Sequence, residues 1–397
     1  MAQTNQRTSQ GHRLEPKIKV KPLLFQTPFY SDESLTSWLI RASFRQFCPP
    51  LSFTWYYWRN VRVWTYDIDK GFEHINPQIH QDIAVLAETN EDNIRKHTLA
   101  DFAISTGANP NSKVALTWTN PLSKRNRYSR IGSYYCSVCM DDSKAHLSLL
   151  WRFSWVVLCT KHGVILDNTC PNCDVAYQPQ LIPLEVGKIN HCYSCREKLH
   201  TSTPKLVTSD TLYEYQLAAE SVYRNKHGLV FGEVADIADW FETLLFLINM
   251  VRKGVNNIEH RLGQILLTHR VLHDMKEIVI PRSRLSFDSL NAKERMFLLE
   301  CSYRLMQIPL DVWLTACEKH NATQNSFIWS KDSTIPRPFM PVYTNLPSSH
   351  KARQKQASPS SDSDSNPTAP DVVINHWERI KRRIEMEQAY EKYRENN

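Results

Sequence analysis

Glycine is scarce in this chain, with ten in 397 residues, and none lies in a G-x-G-x-x-G or G-x-x-x-x-G-K-[ST] loop. Those loops let backbone amides approach phosphate closely, so nucleotide hydrolysis and dinucleotide binding have no motif here. No His-Glu-x-x-His occurs, which removes the ligand pair and general base of a metalloprotease. Long apolar runs are also missing. The longest, near residues 244–251, is far too short to span a bilayer. The N-terminus is polar and basic, without the apolar core of a secretory signal. The expectation is a soluble cytoplasmic protein with no membrane part. Charge excess is small as well. The net charge of +7 permits nucleic-acid contact without demanding it.

Cysteine and histidine supply the strongest signal. Eight candidate ligands fall in the 60 residues from Cys136 to Cys195, as two consecutive sets of four. The first is Cys136-x2-Cys139 followed by Cys159-x2-His162, and the second is Cys170-x2-Cys173 followed by Cys192-x2-Cys195. Two intervening residues let a tight turn aim both side chains at one ion, and a second such turn completes a tetrahedron. Three thiolates with an imidazole, or four thiolates, fill every coordination position and leave none for water. Disulfides would suit a secreted chain, which this one does not resemble. Two Zn2+ ions per chain are therefore expected, each contributing folding energy on the order of 10 kcal/mol.

The remaining sequence reads as mainly α with small zinc-ribbon-like β elements. Residues 1–27 suggest a flexible basic arm with Arg7, Arg13, Lys17, Lys19 and Lys21, ending in the apolar patch Leu23, Leu24 and Phe25. Residues 28–129 suggest a helical N-terminal domain. Ser31 is its expected N-cap, with Asp32 and Glu33 in the first turn. Leu35, Trp38, Leu39 and Ala42 mark one helical face, which Phe44 and Phe47 extend. An aromatic stretch from Phe53 to Tyr66 interleaves Arg59 and Arg62. That pattern suits base stacking, a protein contact or core, and without an RNP or OB pattern the last two are favoured. Residues 81–103 read as helix, turn, helix, with Thr89, Asn90 and Glu91 as the turn and Asn93, Arg95 and Lys96 at recognition positions. Lys124, Arg125, Arg127 and Arg130 form a basic run that meets phosphate or, as lone basic runs usually do, solvent.

A tandem zinc-binding module is expected over 130–204. The apolar run 149–158 within it reads as strand-like, with Trp151 and Trp155 in the core. Residues 205–346 suggest a C-terminal helical domain, with Asn291 as a cap and His260, His269 and His273 as structural residues. Cys48, Cys301 and Cys317 are expected as buried free thiols. Residues 347–370 are serine-rich and read as a disordered linker, and 371–397 as an amphipathic tail helix suited to a groove.

The opening Pro28-Phe29-Tyr30-Ser31-Asp32-Glu33-Ser34-Leu35-Thr36-Ser37-Trp38-Leu39-Ile40-Arg41-Ala42 resembles the start of the TniQ/TnsD family of transposon target-site selectors. Residues 86–99 resemble that family's helix-turn-helix. The run from Trp151-Arg152 to Cys159-Thr160-Lys161-His162-Gly163, followed by Cys170-Pro171-Asn172-Cys173, resembles its cysteine–histidine signature. The first knuckle lacks the common proline, while its ligands remain. The resemblance covers about residues 28–200. It implies a non-enzymatic adaptor that recruits a TnsC-like AAA+ ATPase regulator. Short members ride as head-to-tail homodimers on an RNA-guided Cascade complex, with target DNA or guide RNA within reach. Long TnsD-like members bind an attachment-site sequence directly. The folded length and mild charge here favour the Cascade-bound adaptor. An enzyme of the zinc-deaminase kind would need His-x-Glu, and Val164 stands two residues after His162.

Overall fold

In the computed structural model the described residues are 20–71, 76–110, 116–122, 131–272, 285–329 and 334–348. Arg7, Arg13, Lys17, Lys19, Lys124, Arg125, Arg127, Arg130 and His273 lie outside them, as do the residues 349–397 of the expected linker and tail helix. The described chain is mainly helical, as the sequence leads one to expect, with two short hairpins.

Helix α1 (Leu35–Arg45) begins at Ser34, whose side chain accepts from the Ser37 N–H at 3.2 Å. The cap is thus three residues later than Ser31, and Asp32 and Glu33 precede the helix. The reason is that Glu33 is committed elsewhere: it is fully buried and pairs with Arg41 one face along. Leu35, Trp38, Leu39 and Ala42 are buried, as their period implies, and so is Ile40 on the opposite side. Phe47 departs from that expectation and is exposed, in edge contact with Phe25. Helix α2 (Pro50–Tyr57) starts on a proline, whose missing N–H costs nothing at a first turn.

Residues 77–105 form three helices: α3 (Pro77–Leu86), α4 (Glu91–Arg95) and α5 (Ala100–Ser105). The expected single second helix is broken, and Glu91 opens α4 instead of lying in the turn. The break has a cause in hydrogen bonding. His97 O accepts from Leu35 N at 2.9 Å and Leu99 N donates to Asp69 O at 2.7 Å. Backbone groups that would continue a helix instead anchor α1 and the Asp69 turn. The apolar run 149–158 also differs from a strand. Leu149–Arg152 is a 3-10 turn, and only Leu158–Cys159 is strand (β1), paired antiparallel with Val164–Ile165 (β2). Ser148 caps that turn by accepting from Leu150 N, which holds the run in turns. Trp151 and Trp155 are buried, as expected.

Beyond the cysteine region come α6 (Asp210–Asn225), the hairpin β3 (His227–Val230) and β4 (Glu233–Asp236), then α7 (Ile237–Asn256) and α8 (Arg261–Thr268). The hairpin was not legible in a segment read as wholly helical. Helices α9 (Ala292–Met306), α10 (Leu310–Lys319) and α11 (Met340–Asn345) follow. Asn291 caps α9 in a reciprocal box, accepting from Glu294 N at 2.9 Å while Glu294 accepts from Asn291 N at 3.0 Å. Cys301 and Cys317 are buried thiols, and Cys48 is half-buried.

Two apolar clusters fill the interior. One lies among α1, α2, α3 and α4, around Trp38, Phe53 and Ile83. The larger runs from Phe102 through Phe153 and Trp155 into α6, α7 and α9. Phe153 and Trp155 stack at 5.2 Å, and Phe241 of α7 meets Trp155 at 5.4 Å. The cysteine region therefore shares one core with the C-terminal helices.

Candidate metal centres

Each set of four ligands comes together. Cys136, Cys139, Cys159 and His162 place one ligand atom each within 4.8 Å of one another, and so do Cys170, Cys173, Cys192 and Cys195. Among the described residues these are the groups of three or more such ligands. In the first quartet, Cys139 Sγ and Cys159 Sγ are 3.9 Å apart, and His162 Nδ1 lies 3.5, 3.3 and 3.7 Å from the sulfurs of Cys136, Cys139 and Cys159. In the second, Cys170–Cys195 is 3.6 Å and Cys173–Cys192 is 3.7 Å. A tetrahedral ion with bonds of about 2.3 Å to sulfur and about 2.0 Å to nitrogen sets edges of about 3.8 and 3.5 Å. The quartets fit that. Disulfides, at about 2.05 Å, do not, and all ten cysteines are free.

The thiols also need a counter-charge. Hydrogen bonds from Cys139 and Cys159 hold Cys136 well below the usual thiol range, while Cys139 is pushed up by giving them. Neighbours alone stabilise one thiolate at the expense of the next; a divalent cation stabilises them together.

Local backbone explains why these sequences form knuckles. In all four, the amide four residues after the first cysteine folds back onto that cysteine's carbonyl. Gly163 N reaches Cys159 O at 2.8 Å, Asp174 N reaches Cys170 O at 2.9 Å, and Arg196 N reaches Cys192 O at 3.1 Å. Each of those residues has left-handed φ, at 63°, 56° and 68°. The Cys136 knuckle differs. Met140 N reaches Cys136 O at 3.1 Å, but the chain continues into the 3-10 turn Cys139–Asp141. Short ladders bracket the second pair, with Thr169 bridged to Ala176 and His191 to Lys198.

The quartets are tied to each other. Tyr135 OH donates to Thr169 O at 2.6 Å, and Tyr135 meets Tyr177 edge-on at 5.3 Å. Asn190 Nδ2 donates to Met140 O at 2.9 Å. Gly132 permits the close approach of the two segments, because a Cβ there would lie 1.8 Å from Asn168 O.

The first quartet is also tied to the N-terminal helices. Glu33 accepts from Ser37 Oγ at 2.7 Å and from Arg41, and Ser37 Oγ accepts from Leu147 N at 3.0 Å. Trp38 Nε1 donates to Thr27 O at 2.7 Å. The Glu33–Arg41 motif thus holds α1 against the segment that follows the first knuckle. Arg152 forms a second tie, 2.8 Å from Asp67 and 3.0 Å from Asp69. Burial pushes Asp69 up to about 6, with Arg152 pulling against it. Sequence reading missed a third tie. Arg295 of α9 is buried, and donates to Asn120 Oδ1 at 2.7 Å, Ser154 O at 2.9 Å and Tyr134 OH at 2.7 Å. An arginine on an otherwise apolar helical face was the available signal.

The other candidate residues are dispersed. Arg59 and Arg62 are exposed beside α2, and Arg62 lines a groove of about 570 Å3. Asn93 is half-buried, Lys96 is exposed, and Arg95 pairs with Asp101 at 3.1 Å. His260 precedes α8, and His269 packs on Trp313 at 4.9 Å, where burial lowers it to about 4. No helix among the described residues is long and apolar enough to cross a membrane.

This arrangement defines a helical scaffold stapled by two four-ligand cysteine–histidine clusters. Residues 24–166 match the family model TniQ, so this stretch is a TniQ domain, and it contains α1 to α5 and the whole first quartet. No curated protein matches the chain.

Proposed function

We propose that this protein is a non-enzymatic target-selection adaptor for DNA transposition. It links an RNA-guided Cascade complex to an AAA+ ATPase regulator, as a head-to-tail homodimer. The observation that carries this reading is the TniQ domain over residues 24–166, whose motif residues serve architecture. Glu33, Ser37, Trp38 and Arg41 are used up in holding α1 in place.

In this reading Cys136, Cys139, Cys159 and His162 hold one Zn2+, and Cys170, Cys173, Cys192 and Cys195 hold the other. The ions supply folding energy and fix the turns around them. Four protein ligands leave no coordination position for a substrate. Partner contact falls to surfaces that the clusters orient, and the cytoplasm is its setting.

Co-purification tests the assignment. The full chain is expressed with and without a Cascade complex and with the ATPase, and retention of both as a two-copy assembly is expected. Metal analysis should return two zinc ions per chain. Tight, sequence-specific and salt-steep duplex binding by the isolated chain would instead favour a TnsD-like selector that reads an attachment site itself.

A further inference from the structure

We propose that the groove between α2 and the loop joining the two knuckles of the second quartet docks an acidic protein segment with a bulky apolar anchor. The groove holds about 570 Å3, within the roughly 300–1,000 Å3 usual for ligand sites. Leu51 and Trp55 of α2, Arg62 and Trp64 after it, and Leu181 from the loop between the knuckles line it.

The apolar part is open to solvent where core residues would be covered. Trp55 is 59% exposed, Leu51 45% and Leu181 37%. Trp64 is held rigidly, because its Nε1 donates to Thr54 Oγ1 at 2.8 Å. A fixed indole beside exposed aliphatic groups accepts an inserted side chain at little entropic cost.

Charge selects the occupant. Among the described residues lining the groove, Arg62 is the one charged group and no carboxylate is present. A planar guanidinium lining an otherwise uncharged groove fits a carboxylate flanking an apolar anchor. A single-stranded nucleic acid needs a track of cations along its phosphates, and one arginine does not make that track.

The second quartet holds the Leu181 wall. Leu181 lies in the short turn Pro179–Leu181, between Cys173 and Cys192. That loop is pinned beneath by Pro179 and Ile182, both buried, and by the Tyr177 hydroxyl donating to Ile189 O. Binding in the groove should therefore require the second metal site, although none of its four ligands lines the groove. This inference is independent of which partners the adaptor reading names, and its failure would leave that reading standing on the TniQ domain.

Fluorescence anisotropy with the full, zinc-loaded chain tests it. The probes are a fluorescein-labelled heptapeptide Asp-Glu-Leu-Trp-Leu-Glu-Asp, its lysine-for-acid counterpart, and a labelled oligo-dT strand. Saturable binding of the acidic peptide is expected, with the basic form weaker by about tenfold or more. Trp55→Ala and Arg62→Glu should each weaken it by about tenfold while thermal unfolding is unchanged, since both side chains are exposed. Cys192→Ser should weaken it similarly, and Phe47→Ala, outside the groove, should not. Absence of saturable binding, or equal affinity in the Trp55 and Arg62 variants, overturns the proposal. Oligo-dT binding abolished by those same variants overturns it in favour of a nucleic-acid site. Unchanged affinity in Cys192→Ser overturns the metal-held wall.

Discussion

The two ligand quartets have nearly the same donor geometry and different surroundings. The first lies inside the TniQ domain, and one of its hairpin strands, Leu158–Cys159, is buried in the core shared with α6 and α7. It is reached by α1 through Ser37 and by α9 through Arg295. The second lies beyond the TniQ match, and its knuckles are closed by their own short ladders. One quartet is a junction where several elements meet, and the other is a local staple for a loop. Two similar four-ligand sites should therefore have unequal consequences.

Ligand removal gives the largest contrast. Cys159→Ser should abolish cooperative thermal unfolding, because metal energy on the order of 10 kcal/mol is comparable to the whole stability of a domain. Cys192→Ser should keep the main transition, lower the metal content from two ions to one, and open residues 174–191 to protease. Equal damage from both would break the contrast between junction and staple.

Arg295→Met tests the junction from its far side. The substitution leaves Asn120 Oδ1 and Ser154 O without their buried donor, at a cost of about 3 kcal/mol or more. Chelator titration of this variant should strip the first quartet earlier than in the parent chain and the second at the same concentration.

A smaller effect is tied to pH. Burial raises Asp69 to about 6, above its unfolded value of 3.8. The protonated form is then the one the folded state favours, so this stability is full below pH 3.8 and lost as pH rises through about 6. Asp69→Asn removes that dependence. Relative to the variant, the parent chain should lose stability between pH 4 and 7, by at most about 3 kcal/mol. Denaturant midpoints at several pH values measure it, and a flat difference would remove Asp69 from the junction.

These contrasts also explain what the sequence made legible. The ligand sets could be read because four donors at fixed spacing obey local geometry. Leu35, Trp38 and Leu39 could be read because helical burial is periodic. The cap at Ser34, in place of Ser31, could not, because it depends on Glu33 being buried against Arg41 and Ser37. The break between α4 and α5 depends on Asp69 and Leu35, distant in sequence. Arg295 and Asn120 are 175 positions apart, and no local pattern announces such a pair. Leu181 lines a groove only because the fold brings its loop to α2, a pairing far apart in sequence. Local chemistry was visible, and long-range polar pairing was not.

The finest test concerns the knuckles themselves. Three of them place the fifth residue in left-handed backbone, yet only one uses glycine there. At Gly163 a Cβ would meet Val207 Cγ1 at 4.0 Å and nothing nearer. Gly163→Ala therefore isolates backbone strain from packing, and should cost about 1 kcal/mol. Arg196 is exposed and adopts the same conformation against its own preference. Arg196→Gly relieves about 1–2 kcal/mol of strain and loses about 0.5–1 kcal/mol to the freer unfolded chain, so a net gain of about half a kcal/mol is expected. Asp174→Gly should gain less, because aspartate tolerates left-handed φ better than arginine. The two glycine gains should appear as slower zinc loss from the second quartet alone, and the Gly163→Ala cost as faster loss from the first. If Arg196→Gly accelerates zinc loss, the three knuckles are not equivalent turns, and the difference between the quartets begins in their backbones before it reaches their surroundings.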